Sequence, residues 1–398
     1  MERLAVHTKQ KTGDLSIVLL VTILVIFGIV MIFSASYYYA ISQYDDPYHY
    51  LKRQIIAGAI GMWITSKIDY HFWLRLWIIV PVICLILLLL IFTPLGIEVN
   101  GATRWLGHKS FPITVMPGEF AKVGIVLYIT GHFSKKPKSA TDWWKGVMPV
   151  LIMTGLYFAL IMKQPNMSTA FTVALIAGGM LLVAGIQWKH VGVLAGLGAA
   201  AAVVFVFADR EGYRYGRLLS FLDPFADALG DGWQVVQSLL ALGTGGLTGL
   251  GLGNSVQKNL YLPEAQNDFI LAIIGEELGF IGILALVIVC VLLVWRGCHT
   301  AMNARDYTGM MLASGITMMV GLQVVINIAV VTSSMPPTGI ILPFISYGGN
   351  ALLIFMGGYS AQYIQISGAL GNHRSHYESH CNRRRYRGAY LSGARYRG

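Results

Sequence analysis

The stretch Leu262–Gly282, LPEAQNDFILAIIGEELGFIG, sets an acidic cluster directly against an apolar run of membrane-spanning character. Glu264 and Asp268 precede the run, and Glu276 and Glu277 interrupt it two turns later. An ionised carboxylate in hydrocarbon costs ~2.5 kcal/mol or more, so intramembrane acids are functional candidates by default. Pro263 marks an expected helix start, and Gly275 an expected soft point within the helix. A helix that only faces lipid does not carry acids at this density.

Outward from this stretch, composition sets the class. Hydrophobic residues make up 55% of the 398, charged residues 12%, and the mean hydropathy is +0.61, which excludes a soluble globular balance. Leu15–Phe33 carries no charge and matches the ~20 helical residues that about 30 Å of hydrocarbon requires. Arg3, Lys9 and Lys11 precede it and Ser34, Ala35 and Ser36 follow, as in a signal peptide. Its apolar core is too long for one and further spans follow, so an uncleaved first helix is expected.

The apolar runs predict an all-α polytopic integral membrane protein with about ten transmembrane helices. They fall near 15–36, 53–67, 73–93, 116–133, 147–162, 167–187, 190–208, 268–295, 307–333 and 340–366. With the N-terminus inside, most of the 29 Lys and Arg fall in cytoplasmic segments, among them Lys135, Lys136 and Lys138. The positive-inside rule therefore places both termini in the cytoplasm. Three segments follow: a cytoplasmic lead 1–14, a membrane domain 15–370 and a basic cytoplasmic tail 371–398. The acids lean towards the outer face, which points to chemistry there.

The one long hydrophilic segment, 209–267, is expected outside, between helices 7 and 8. It holds Tyr213–Phe225 (YRYGRLLSFLDPF) and Gly243–Gly253 (GTGGLTGLGLG). Glycine-rich backbone can cradle phosphate, but this one matches no phosphate-loop fingerprint and lacks the strand–helix context. A flexible re-entrant loop is the alternative. Cys84 and Cys290 lie within spans and Cys298 and Cys381 on the cytoplasmic side, so no disulfide is expected. His373, His376, His380 and Cys381 lack a completing partner motif, and no metal site is read there. The tail from Asn372 carries seven Arg and one Glu, a net +6 of the chain's +10, with RYRG repeated at 385–388 and 395–398. Anionic headgroups account for such a run more simply than nucleic acid does.

Several segments read together resemble the SEDS family (shape, elongation, division and sporulation), and its FtsW and SpoVE branch more than RodA. They are NGATRWLG (100–107), MPGEFAK (116–122), KQPNMSTA (163–170), RLLSFLDPF (217–225), the glycine-rich region 232–258, the opening acidic stretch, and PPTGIILPFISYGG (336–349). The resemblance runs from about Asp14 to Leu370. It implies a peptidoglycan glycosyltransferase of the bacterial cytoplasmic (inner) membrane. Such an enzyme polymerises lipid II, releases undecaprenyl pyrophosphate, and works with a class B penicillin-binding protein and other division or sporulation membrane proteins. Nucleic acid is not an implied partner.

A sugar held through α-pyrophosphate that ends β-linked requires inversion. One carboxylate acts as general base, while cations or a divalent metal (Mg or Mn) stabilise the leaving pyrophosphate. The resemblance assigns the base to Asp268, in the position of the PEA-x-x-DF acid. A helix cap is the structural alternative for it. Trp105 is similar to a substrate-facing residue or an interfacial belt tryptophan. Arg104, Arg217 and Lys258 are candidate pyrophosphate contacts, and Glu264 is the reserve acid. Glu119 and Lys122, at i and i+3, either line a substrate cavity or pair only to sit in the membrane. Asn327, Ser346 and Tyr347 read as packing residues.

The chain departs from the family pattern at Asn166 and Ser168, where Asp and Gly are usual, at Gln266-Asn267, Ser333-Ser334 and Asn350. Two other functions stay open on the residues: a transporter (flippase) for lipid-linked precursors, and a non-catalytic scaffold for the penicillin-binding protein.

Overall fold

A computed structural model of the protein describes residues 15–56, 58, 72, 75–99, 102–107, 114–207, 221–230, 232–304 and 306–361. Its helices are α1 (Leu15–Tyr44), α2 (Ile79–Leu90), α3 (Pro117–Lys135), α4 (Met148–Lys163), α5 (Met167–Ala184) and α6 (Trp188–Phe207). They continue with α7 (Trp233–Gly245), α8 (Ile270–Met302), α9 (Tyr307–Val331) and α10 (Gly349–Phe355). Among the described residues, five segments are long and apolar enough to cross a membrane: Leu15–Tyr44, Trp143–Lys163, Met167–Ala184, Ile270–Met302 and Tyr307–Val331. The protein is a mostly helical, multi-pass membrane protein.

The all-α expectation needs one correction. Between α2 and α3 the antiparallel strands β1 (Gly96–Val99) and β2 (Ala102–Leu106) pair, Ile97 opposite Trp105, with a bulge at Ile97/Glu98. Asn100-Gly101 between them is the strongest short-range hairpin signal in the chain. In a sequence read for 20-residue apolar runs, two strands of four and five residues leave no trace.

Local chemistry sets the helix ends. Pro117 opens α3, where its missing N–H costs nothing, and Glu119 in the first turn opposes the positive dipole end. Asn166 caps α5 by accepting from the Thr169 N–H, and Gly185 ends it in the left-handed region at φ 86°. α9 is central, packed on α3, α5 and α8, while α1 lies along α8. α1 and α8 run antiparallel: Ser34 meets Glu277 near one end, and Arg296 donates to Ser16 near the other. The rows Leu15, Leu19, Ile23, Ile26 of α1 and Ile281, Leu284, Ile288, Val291 of α8 stay exposed, as lipid-facing surfaces do.

Two expected elements differ. α1 continues to Tyr44 rather than ending at 36. The last expected span, 340–366, becomes helical only at Gly349. Pro343 removes a donor and would clash with a carbonyl one turn back, so helix cannot run through it. Residues 336–348 instead form irregular backbone with Leu342, Phe344 and Ile345 buried. Buried irregular backbone needs partners. Ser346 Oγ accepts from the Leu342 N–H at 2.8 Å, and Gln54 Nε2 donates to the Ser346 carbonyl at 3.1 Å. The Tyr347 N–H reaches the Gln266 carbonyl at 2.9 Å.

α8 is broken, but at Gly279 (φ 68°, ψ −169°) and not at the expected Gly275. Nor does the helix begin at Pro263; it starts at Ile270. The glycine-rich stretch fills the break. The N–H groups of Leu250 and Gly251 donate to the Glu276 and Glu277 carbonyls, both at 2.9 Å. In return the Phe280 and Ile281 N–H groups donate to the Gly246 and Leu247 carbonyls, at 2.9 and 3.1 Å. The stretch expected as a flexible loop is therefore the last three residues of α7 followed by a segment hydrogen-bonded into a helix break.

At Gly279 a Cβ would sit 2.4 Å from Gly249 N and 2.5 Å from Leu247 O, both backbone atoms. At Gly275 it would meet only the ends of Leu242 and Ile283 at 2.5 and 2.8 Å. Gly279→Ala should thus cost about 2 kcal/mol or more, backbone strain and clash together, and lower the melting temperature of the purified protein further than Gly275→Ala. The opposite order would place the hinge at Gly275.

Candidate active site

The starts of α3, α5 and α8 meet the ends of α1 and α9 at one end of the bundle, with the 336–348 segment laid across them. Asp268 lies there, half-buried, two residues before α8. The N-cap position of the helix is Phe269, one residue after Asp268. The backbone of Asp268 is fixed: Asn327 Nδ2 on α9 donates to the Asp268 carbonyl and to the Ile340 carbonyl, each at 2.7 Å. One amide group thus joins the acidic segment to the irregular one. Gly339, at φ 68°, comes so near that a Cβ there would stand 3.5 Å from Asp268 Oδ2.

From Asn327 a buried polar line runs between α9 and α3. Gln323 lies one turn before Asn327, both fully buried. Gln323 Oε1 accepts from Lys122 Nζ at 3.1 Å, and Lys122 is paired with Glu119 at 2.7 Å. Glu119 and Lys122 form the expected i, i+3 pair, at 7% and 3% exposure. The pair is not a private arrangement of α3, because Gln323 ties it to the helix that positions Asp268. Sequence reasoning passed over Gln323 and gave Asn327 only a packing role. The i, i+4 spacing of two amides in an apolar helix was the available signal.

The β-hairpin brings Arg104 and Trp105 to the same end. Arg104 Nη2 donates to the Pro165 carbonyl, beside Asn166, and Trp105 is half-buried on β2. Asn166 Nδ2 and Thr169 face Gly118 at the start of α3, and Ser168 Oγ donates to the Thr338 carbonyl, next to Gly339. Arg104, Glu119, Lys122 and Asp268 are therefore linked through α3, α5 and α9. Asn166 holds its helix through the same capping bond that Asp would make.

Lys258 stands elsewhere. It is 5% exposed and pairs with Glu277 at 2.8 Å, and both groups bond Ser34 Oγ of α1 at 3.1 and 2.7 Å. That buried pair absorbs the charge expected to meet pyrophosphate. Glu276 is equally occupied, accepting from Ser255 Oγ, the Val256 N–H at 3.0 Å and the Gln257 N–H at 3.3 Å. Of the four acids in the opening stretch, Glu276 and Glu277 are thus held in buried contacts. Glu264, at φ 54°, accepts from Asn267 Nδ2, and the Asn267 N–H donates to its carbonyl at 3.0 Å. Arg217 lies outside the described residues.

The cell cycle protein family of FtsW, RodA and SpoVE matches residues 14–361. The chain belongs to this family. It is 39% identical to the stage V sporulation protein E of Bacillus subtilis over 354 residues, covering 88% of this chain and 95% of that one. It is 40% identical to the probable peptidoglycan glycosyltransferase FtsW of Trichlorobacter lovleyi, covering 86% and 90%. Among solved structures, it superposes on a chain from a peptidoglycan synthase complex that coordinates polymerization and crosslinking. That match has TM-score 0.72 and 27% identity, covering 90% of this chain and 98% of that one. The rod shape determining protein RodA of Thermus thermophilus matches with TM-score 0.63 and 26% identity, covering 89% and 96%. The matched range, residues 14–361, includes the residues of the hairpin, the polar line and the broken α8.

Proposed function

We infer that the chain is an inverting peptidoglycan glycosyltransferase that polymerises lipid II at the outer face of the bacterial cytoplasmic membrane, in division or sporulation. The observation that carries this reading is Asp268, its backbone clamped by Asn327 at the end of a buried Glu119–Lys122–Gln323 line. A carboxylate there accepts the proton of the acceptor hydroxyl as the hydroxyl attacks the anomeric carbon and the pyrophosphate leaves. Arg104 stands on the same side to meet developing phosphate charge. Among the described residues no set of three or more His, Cys, Asp or Glu converges as a metal-holding group. Asp268 together with phosphate oxygens fits the way Mg²⁺ is usually held, by one or two carboxylates plus substrate phosphates.

The same reading supplies the topology: about ten spans, both termini cytoplasmic, segment 209–267 outside, and partnership with a class B penicillin-binding protein. Family membership and the charge distribution support it. Transport is the weaker reading. Transporters leave the unwound backbone of broken helices to coordinate cargo, whereas the break at Gly279 spends its carbonyls and N–H groups on residues 246–251.

Reconstitution with lipid II, with and without the transpeptidase, separates the functions. Glycan chains without lipid scrambling are expected; scrambling alone would make the chain a transporter, and neither would make it a scaffold. Deleting Asn372–Gly398 should leave polymerisation intact while weakening membrane localisation or partner recruitment. A basic tail near an anionic surface contributes ~1 kcal/mol per residue to attraction and nothing to the core. A folded truncation that cannot polymerise would overturn that division of labour.

A further inference from the structure

The end of α1 runs into an aromatic cluster that the chemistry above does not use. With 30 residues, α1 is about 45 Å long, so part of it extends beyond about 30 Å of hydrocarbon. The end that leads into Asp45 and Asp46 is the polar one, and it carries Tyr37, Tyr38 and Tyr44. Tyr48 follows in the turn, and His49 and Tyr50 begin the helical residues after it.

Two of these rings are built as platforms. Tyr44 lies flat on His49, with centroids 3.7 Å apart and planes 4° from parallel. Tyr48 stacks on Phe33 at 5.4 Å and 13°. Each tyrosine is thus backed on one face and keeps 49% of its surface open, and Lys52 Nζ stands over the Tyr48 ring, 5.9 Å from its centroid. The turn between them is fixed: Asp46 accepts from the Tyr48 N–H at 3.0 Å and from Lys52 Nζ at 2.8 Å. Burial first, then the Arg53 charge, holds the His49 pKa below its ordinary value, which keeps its face uncharged.

The cluster is continuous with the candidate active site. Tyr50 is buried and meets Tyr347 edge-on at 4.6 Å, and the Tyr347 N–H donates to the carbonyl of Gln266, two residues before Asp268. The Glu264 carboxylate lies within electrostatic reach of the Tyr39 hydroxyl. Rigid, half-exposed rings with polar groups at their edges, Lys52 and Asp46 among them, match a pyranose, which offers a patch of C–H on one side and hydroxyls around its rim. The ring face is the electron-rich surface that such C–H groups seek. A tyrosine of the interfacial belt needs no second ring behind it.

We propose that Tyr44 and Tyr48 form a saccharide platform that holds β-linked N-acetylhexosamine units of a glycan strand beside the Asp268 site. The proposal rests on the glycosyltransferase reading for its ligand. It is tested with the full chain in nanodiscs and the soluble β-1,4-linked N-acetylglucosamine tetramer as probe, followed by saturation-transfer NMR. Tyr44→Ala with Tyr48→Ala should weaken binding about tenfold or more, while Tyr44→Phe with Tyr48→Phe keeps the rings and stays within about threefold of the parent. Compared at equal consumption of lipid II, the alanine variant should release shorter chains than the phenylalanine variant. Absence of tetramer binding by the parent protein overturns the proposal. So does unchanged binding by a folded alanine variant, and if that variant loses only thermal stability in the nanodisc, the rings are lipid anchors. Tetramer binding by a protein that forms no chains would leave the platform standing and remove the glycosyltransferase reading.

Discussion

Asp268→Asn should yield a folded, partner-competent protein that polymerises lipid II about 10²-fold more slowly or worse, the usual cost of losing a general base. The substitution is nearly isosteric. Asn327 donates to the residue 268 carbonyl, which is the same in both proteins. Phe269 holds the N-cap position of α8, and Asn satisfies free N–H groups at a helix start nearly as well as Asp, so the first turn is expected to survive the change. What changes is proton acceptance. The comparison is initial rate with lipid II, alongside thermal unfolding and co-purification with the transpeptidase. Near-normal turnover by the Asn variant would remove Asp268 from the chemistry and leave Glu264, four residues earlier, as the next candidate base.

The largest loss of stability is expected at Lys258. Glu277 is fully buried, and its charge is balanced by Lys258 Nζ at 2.8 Å and by the Ser34 hydroxyl. Lys258→Ala leaves a carboxylate uncompensated in a low-dielectric interior, which costs about 3–5 kcal/mol. Removing the partner as well, with Lys258→Met and Glu277→Leu, should recover most of that loss, since buried pairs replaced by apolar groups of similar size are often near neutral. Unfolding of the purified proteins in detergent reads both values. A single variant as stable as its parent would show that the pair contributes nothing net. A double variant worse than the single would mean that Ser34 needs the carboxylate for more than charge balance.

Apolar length made the membrane class and the main helices legible, because about 30 Å of hydrocarbon imposes its own count on any spanning helix. The Glu119–Lys122 pair was equally legible, since i, i+3 neighbours meet on any helix. Partners distant in sequence were not. Nothing local to Lys258 distinguishes a phosphate contact from a salt bridge to Glu277 that also involves a serine 224 positions away. Gly275 and Gly279 look alike as breaks, and only the approach of Gly249 to within 2.4 Å of a Cβ at 279 chooses between them. The resemblance supplied Asp268 and the substrate; its clamp by Asn327 became visible only once α9 was placed against α8.

The break in α8 also bears on how the chain is made. Alone, the short part of this helix before Gly279 would present two carboxylates and open carbonyls to the membrane, and a helix of that kind is a poor candidate for insertion. Residues 246–251 and 255–258, which satisfy those groups, all precede α8 and leave the ribosome before it. Only Ser34 is remote, and it belongs to a helix synthesised far earlier. Residues 246–281 are therefore best understood as one unit of biogenesis, in which α8 inserts with its complement at the outer face already joined to it and docks on an α1 made earlier.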